Sequence, residues 1–219
     1  MQLNELRGKI YEIFGFLTGI QELFLYNNSL TGPIPPAIFN ISSFQMIDLK
    51  YNFLGGSLPM DICNNLPNLE IFNVSHSQLG GLIPGGIPAE IGNITGLQYL
   101  SLGNNNLTGG IPPEIGNITG LQELSLRNNN LTGEVPYKFF NFSSLMTLDL
   151  ASNGLSGSIS HDLCFRHPEL QNLVFEQNKF YGEIPSGISH CSAMDTLDLF
   201  GNKFTGISNA TQLCDAIVI

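Results

Sequence analysis

Basic residues are scarce in this chain: eight Lys plus Arg stand against 18 Asp plus Glu, giving a net charge of −10. So few cations cannot build a basic stripe, which excludes a nucleic-acid partner whose phosphates need neutralising. Charged residues of both signs make up only 12% of the 219 positions, so surface polarity must come from Asn, Ser, Thr and Gln. Long hydrophobic runs are missing too, and nothing approaches the roughly 18–20 apolar residues of a membrane span. The opening MQLNELRGKI holds no apolar stretch of signal-peptide length, so no signal peptide is expected in this chain. Cys is limited to Cys63, Cys164, Cys191 and Cys214, neither dense nor closely spaced, which argues against a disulfide scaffold or a zinc site. Phosphate-cradling loops of the GxGxxG or GxxxxGK[ST] type are absent.

What the chain has is repetition. The stretch Leu121–Pro136, LQELSLRNNNLTGEVP, recurs from end to end: aligning on Asn129 gives Asn28, Asn52, Ser77, Asn105, Asn153, Asn178 and Asn202. A fixed period in the twenties signals a solenoid of stacked coils. Eight units start at Ile20, Phe44, Leu69, Leu97, Leu121, Leu145, Leu170 and Met194, in steps of 24, 25, 28, 24, 24, 25 and 24 residues. Residues 1–19 read as the later part of a preceding unit, residues 20–206 as the eight units, and 207–219 as a non-repeat tail. In each unit an alternation such as Leu124-x-Leu126 predicts a short half-buried strand. The Asn that follows is placed to bond backbone groups of adjoining coils, a ladder answering what short strands leave open. Gly-x-Ile-Pro, as in Gly109–Pro112, then turns and stiffens the return path. Two places depart from the pattern. Ser77 takes the ladder position, in a unit four residues longer than its neighbours. The surplus around Pro84–Pro88 reads either as a short functional loop or as a copying slip, and the verbatim EIGNITGLQ at 90–98 and 114–122 favours copying. After Gly206 the chain matches no further unit.

The frame L-x-x-L-x-L-x-x-N-x-L-x-G-x-I-P, complete or nearly so in eight consecutive units, resembles the plant-specific leucine-rich repeat. Segments such as IFNISSFQMIDL and GGSLPMDICNNLPNLE are similar to the ectodomains of plant receptor-like kinases in the subfamily of the flagellin- and elongation-factor-Tu-sensing immune receptors. That resemblance implies an α/β repeat solenoid, a right-handed superhelix with a parallel sheet on its concave face and irregular and 3₁₀-like segments behind. It also implies an extracellular or cell-surface glycoprotein that is not an enzyme and binds a peptide or protein together with a co-receptor kinase. Counterparts of the family's cysteine-paired caps, membrane helix and kinase motifs are missing from these 219 residues. A truncated receptor, a gene fragment and a receptor-like decoy are therefore all open, as is a secreted protein of the polygalacturonase-inhibitor type.

In such a coil the binding residues are expected where the copies disagree, on strand positions that the core does not use. One cluster is aromatic, from Phe24, Tyr26, Lys50 and Tyr51, with Tyr99 flanking. Another is acidic, from Asp149, Glu176 and Asp198, suited to a basic peptide, with Arg127 and Phe200 in the same columns. Sequons stand at Asn27, Asn40, Asn73, Asn93, Asn106, Asn117, Asn130, Asn141 and Asn209. With 23 Asn and 28 Ser plus Thr in the chain, about three would arise by chance. Repeat copying is the second source, since NIT and NLT each occur twice. A glycan at Asn73 would cover the middle of the strand face, so ligand contact is expected to avoid the third unit. No catalytic constellation is expected: Ser160, His161 and Asp162 are sequence neighbours and cannot take up triad geometry. His161, Cys164, His167, His190 and Cys191 gather on paper, yet their spacing matches no ligand pattern, so no metal and no other cofactor is assigned. Cys191 sits where sister units carry Phe142 and Ile118, which favours a buried thiol over a Cys164–Cys191 bridge.

Overall fold

The structure, a computed structural model, describes residues 5–59, 62, 65–80 and 86–208, without the side chains of Phe140 and Asn141. Cys63, Cys214, Asn209, Pro84 and the tail from 209 onward lie outside the described residues.

Each coil carries a three-residue strand with an apolar centre, Leu23, Ile47, Phe72, Leu100, Leu124, Leu148, Leu173 and Leu197. These strands pair in sequence order into one parallel sheet of eight, from Glu22–Phe24 to Thr196–Asp198. The central residue points into the core and its neighbours point out, as the two-residue side-chain period of a strand requires. Backbone bonds continue past each strand: Leu25 N–H donates to the Asp48 carbonyl at 2.9 Å, and Leu126 N–H to that of Asp149 at 2.8 Å.

Behind the sheet, short 3₁₀ helices follow Pro in five of the eight units: Pro36–Asn40, Ala89–Asn93, Pro113–Asn117, Tyr137–Asn141 and Ser186–His190 among the described residues. Pro sits immediately before or at the first helical residue, where its missing N–H costs nothing. The coil at Leu163–Arg166 replaces this with one α-helical turn. Leu, Ile and Phe from both sides merge into one continuous core, with Phe39 edge-on to Phe72 at 6.1 Å and Phe175 stacked on Phe180 at 4.4 Å.

A second parallel sheet, where the sequence suggests irregular chain, runs along the flank between the first sheet and the 3₁₀ helices. It is built from the segment just after each ladder Asn, such as Ser29–Gly32 and Asn130–Glu134. Four strands, Arg7–Lys9 to Gln78–Leu79, form one block and five, Thr108–Gly109 to Lys203–Ile207, form another. Residues 81–85, between the two blocks, lie outside the described residues.

The ladder is the joint between the two sheets. Asn105 is buried; its Nδ2 donates to the carbonyls of Val74 and Leu102 at 3.0 Å each, and its Oδ1 accepts from Leu79 N–H at 2.9 Å. Asn28, Asn52, Asn129, Asn153, Asn178 and Asn202 each accept a backbone N–H of the preceding coil in the same way. Ser77 is too short to reach, and its hydroxyl is buried with no hydrogen-bond partner. The residue just before each ladder position must turn into left-handed backbone: Asn27, Tyr51, His76, Asn104, Asn128, Ser152 and Gln177 lie at φ 51–56°, and Gly201 at 69°.

Cys164 and Cys191 form a disulfide across adjacent coils, with Cα atoms 4.7 Å apart. This corrects the expectation of a buried thiol. Position 191 is buried in the core as its apolar sisters are, but the neighbouring coil places a second sulfur against it. His167, buried beneath the Leu163–Arg166 turn, meets the Phe142 carbonyl through Nδ1. Burial holds its pKa below the ordinary 6.5, with the Phe142 carbonyl opposing the shift.

Two stability tests follow. Asn105→Ala strips the buried Leu79 N–H of its acceptor and should cost about 2–3 kcal/mol, whereas Ser77→Asn supplies the missing rung and should gain about 1 kcal/mol. Urea unfolding checks both, and an unchanged midpoint for Ser77→Asn would show that the rung is not what the site lacks. Because His167 is held neutral, its contribution is full above pH 6.5 and is lost as pH falls below 6.5 toward the lowered folded pKa. The thermal midpoint should therefore drop less between pH 7.5 and 5 in His167→Gln than in the parent chain.

Candidate functional site

The outward positions of the eight-stranded sheet are free of the core and differ from coil to coil. Along the third strand residue run Phe24, Asp48, Asn73, Ser101, Ser125, Asp149, Val174 and Asp198. Two residues on run Tyr26, Lys50, Ser75, Gly103, Arg127, Ala151, Glu176 and Phe200, and beside them lies the left-handed row from Asn27 to Gly201. Asx residues in the first row also serve the local backbone. The Oδ1 atoms of Asp48, Asn73, Asp149 and Asp198 accept the backbone N–H two residues on, at 3.1–3.2 Å. They close the strand end while leaving the second carboxylate oxygen or the amide outward.

The aromatic cluster lies on the first two coils. Phe24, Tyr26 and Tyr51 are each about half exposed, unusual for rings of this size on one face. Phe24 meets Tyr26 edge-on at 6.3 Å. Lys50 holds its ammonium 5.4 Å from the Tyr26 ring centre and 3.1 Å from Asp48 Oδ2, so its charge is answered within the protein. Tyr51 is lifted to the rim by its left-handed backbone and stacks on His76, ring centres 4.2 Å apart. Tyr99 stands two coils further on and donates its hydroxyl to Gln122 Oε1 at 3.0 Å.

Sequence reasoning missed the strip that continues from Tyr51. Asn104 Nδ2 lies 3.2 Å from His76 Nε2, and Asn104 Oδ1 accepts from Asn128 Nδ2 at 2.8 Å. An amide donor facing Nε2 makes that nitrogen an acceptor and puts the imidazole proton on Nδ1. Burial, and then the Arg127 charge, keep the His76 pKa below 6.5. The signal was in the sequence as the mostly polar residues just before each ladder position, which form one row from coil to coil.

At the other end Arg127 Nη1 reaches Asp149 Oδ2 at 3.4 Å, while its Cγ lies where a Gly103 side chain would begin. Burial raises the Asp149 pKa, opposed by the Ala151 N–H and Arg127 and assisted by Asp198. The Asp198 carboxyl on the next coil, paired in register with Val174, raises the Glu176 pKa. Phe200, 72% exposed, stands next to them. Asp149, Glu176 and Asp198 thus come together around Arg127 and Phe200, and Phe24, Tyr26, Lys50 and Tyr51 come together at the opposite end; Tyr99 stands apart from both.

The sequons scatter over other surfaces. Asn40, Asn93 and Asn117 are exposed at the last residue of their 3₁₀ helices on the back, and Asn106 and Asn130 are exposed on the flank. Asn27 is exposed on the rim, and Asn73 is half-buried on the strand face with Oδ1 held by the Ser75 N–H and hydroxyl. The residues that gathered on paper near the Leu163–Arg166 turn are taken up separately. Cys164 and Cys191 are bonded to each other, His167 is buried, and Ser160 donates to Asp162, which pairs with Arg166.

Family models match in three places: "Leucine Rich repeats (2 copies)" over residues 95–138, and "Leucine Rich Repeat" over 19–41 and 144–165. Receptor-like protein 41 of Arabidopsis thaliana is 34% identical over 96 residues, 43% of this chain and 10% of that protein. The ectodomain of the Arabidopsis thaliana membrane receptor kinase GASSHO1/SCHENGEN3, solved with CASPARIAN STRIP INTEGRITY FACTOR 2, superposes at TM-score 0.86 with 40% identity, over 91% of this chain and 23% of that one. The Arabidopsis receptor kinase HAESA ectodomain, solved with an N-terminal extended IDA peptide hormone ligand, gives TM-score 0.86 at 30% identity, over 93% of this chain and 33% of that one. The chain therefore spans about a tenth of the curated relative's length and about a quarter to a third of these ectodomains. It is an array of leucine-rich repeats homologous to those of plant receptor-like proteins and of plant receptor-kinase ectodomains.

Proposed function

We propose that the chain is a recognition segment which binds a peptide or protein on the outward face of its eight-stranded sheet, without catalysing a reaction. The observation that carries this is the contrast between frame and face. Inward positions repeat Leu, Ile and Phe, while outward positions present half-exposed rings and the Glu176 and Asp198 carboxylates, which have no ion-pair partner among the described residues. HAESA, solved with a peptide hormone and with the co-receptor SERK1, supports a peptide ligand and a co-receptor kinase as partners. An extracellular setting is supported by the Cys164–Cys191 disulfide, since such bonds persist in oxidising compartments, and by exposed sequons at Asn27, Asn40, Asn93, Asn106, Asn117 and Asn130.

Ser125→Trp places a large ring in the centre of the face, where Ser101 and Ser125 leave it shallow. It should abolish peptide binding measured by calorimetry while leaving the circular-dichroism spectrum unchanged; retained affinity would move the site elsewhere. Expressed through a plant secretory pathway, the protein should shift in gel mobility on deglycosylation, and non-reducing mass mapping should recover a Cys164–Cys191 peptide pair. An unshifted band together with free thiols would argue for an intracellular fragment.

A further inference from the structure

The outward sheet face has no partner within the described residues, and its two furnished ends differ in character. At the first end the charges between the rings are settled: Lys50 is held by Asp48, and Glu22 stands exposed at the edge of an aromatic surface. At the second end they are not. Arg127 is taken by Asp149, and among the described residues no cation lies within ion-pair distance of Glu176 or Asp198. Two carboxyl groups set against each other on adjacent coils are stabilised by a cation placed between them. Phe200 adds an exposed ring beside that pair, a combination that suits a guanidinium, which pairs with carboxylates and stacks on aromatic faces. Between the ends the face narrows to Ser101 and Ser125 and to Asn73, whose Oδ1 is tied to Ser75; a chain that crosses there requires Asn73 to carry no glycan, against the expectation from its sequon.

The spacing fixes the length of what would lie there. From between the first two strands to between the last two is six strand spacings in the sheet order. At about 4.8 Å per spacing that is roughly 29 Å, or eight to nine residues of extended chain at about 3.3 Å each. We propose that the occupant is one extended peptide. It sets an apolar side chain over Phe24, Tyr26 and Tyr51 and, about eight or nine residues away, a basic side chain over Glu176 and Asp198 beside Phe200. This rests on the reading of the sheet face as the recognition surface and adds to it the ligand's length, polarity and two anchor residues. The acid end turns away an anionic ligand.

The test is selection of random 12-residue peptides displayed on phage against the whole chain, followed by anisotropy titration of the enriched sequences. Enriched peptides should pair an aromatic or large aliphatic residue with Arg or Lys about seven to nine positions apart. Glu176→Gln with Asp198→Asn should weaken them by about tenfold or more, as expected for removing charge complementarity from a recognition patch. The amide oxygen introduced by Asp198→Asn can still accept the Phe200 N–H, so that variant keeps its local backbone bond. Phe24→Ala with Tyr51→Ala should weaken the same peptides while sparing the contribution of the basic residue. Peptides that lose binding to Ser125→Trp, yet show no paired residues at that spacing or ignore the acid substitutions, would overturn the two-anchor ligand and leave the face as a recognition surface. No enrichment, or enriched peptides indifferent to every substitution on the face, would overturn both.

Discussion

A coil of about two dozen residues encloses too little to complete itself. Its strand is three residues long, its helix is a single 3₁₀ turn, and much of its backbone faces the next coil and not its own interior. The Asn ladder resolves this. Each amide bridges backbone carbonyls and one N–H drawn from more than one coil, such as Asn129 with Leu102, Leu126, Arg127 and Leu107. In doing so it ties the first sheet to the second at the point where the chain turns between them. The bond is buried, so its loss leaves polar groups dry, which costs more than a hydrogen bond contributes when made.

That arrangement separates two kinds of position. Letters that recur, Leu, Asn, Gly and Pro, are used up by the coil and its neighbours. Letters that vary fall on one face because a strand alternates, and successive coils bring them into rows about 4.8 Å apart. Residues far apart in the chain thereby become neighbours or members of one row. Asp149 and Arg127 meet this way, as do Glu176 and Asp198. Some of these side chains do two things at once. Asp198 closes the end of its own strand with one oxygen and meets Glu176 as part of the acid end.

Much of the frame could be read from the chain because a short period repeated eight times leaves little ambiguity. Leu124 buried, Asn129 in the ladder and Pro112 opening a 3₁₀ turn all follow from local pattern. The flank sheet could not be read that way. Its strands begin with side chains as different as Ser29, Phe53, Gln78 and Lys179, so no alternation marks them; only pairing with the next coil makes them strands. The disulfide escaped for a related reason, since an apolar column predicts burial equally for a thiol and for a bridge. For the outward residues, columns could be written down from the spacing. The stacking of Tyr51 on His76 and the bonding of His76 to Asn104 depend on left-handed backbone that Asn and Gly201 suggest but Tyr51, Ser152 and Gln177 do not.

The missing rung at Ser77 has a mechanical meaning. At the other ladder positions an amide joins the core and the strand pairing in tying one coil to the coil before it, so a load along the solenoid axis is shared. Between the second and third units the eight-stranded sheet runs on through Ile47 and Phe72, the flank strands pair at Gly56 and Leu79, and the core continues, but the Ser77 hydroxyl is buried with no partner. The third coil is thus tied to the second by one set of contacts fewer than its neighbours have, and a force that stretches or bends the array would open it at that seam first.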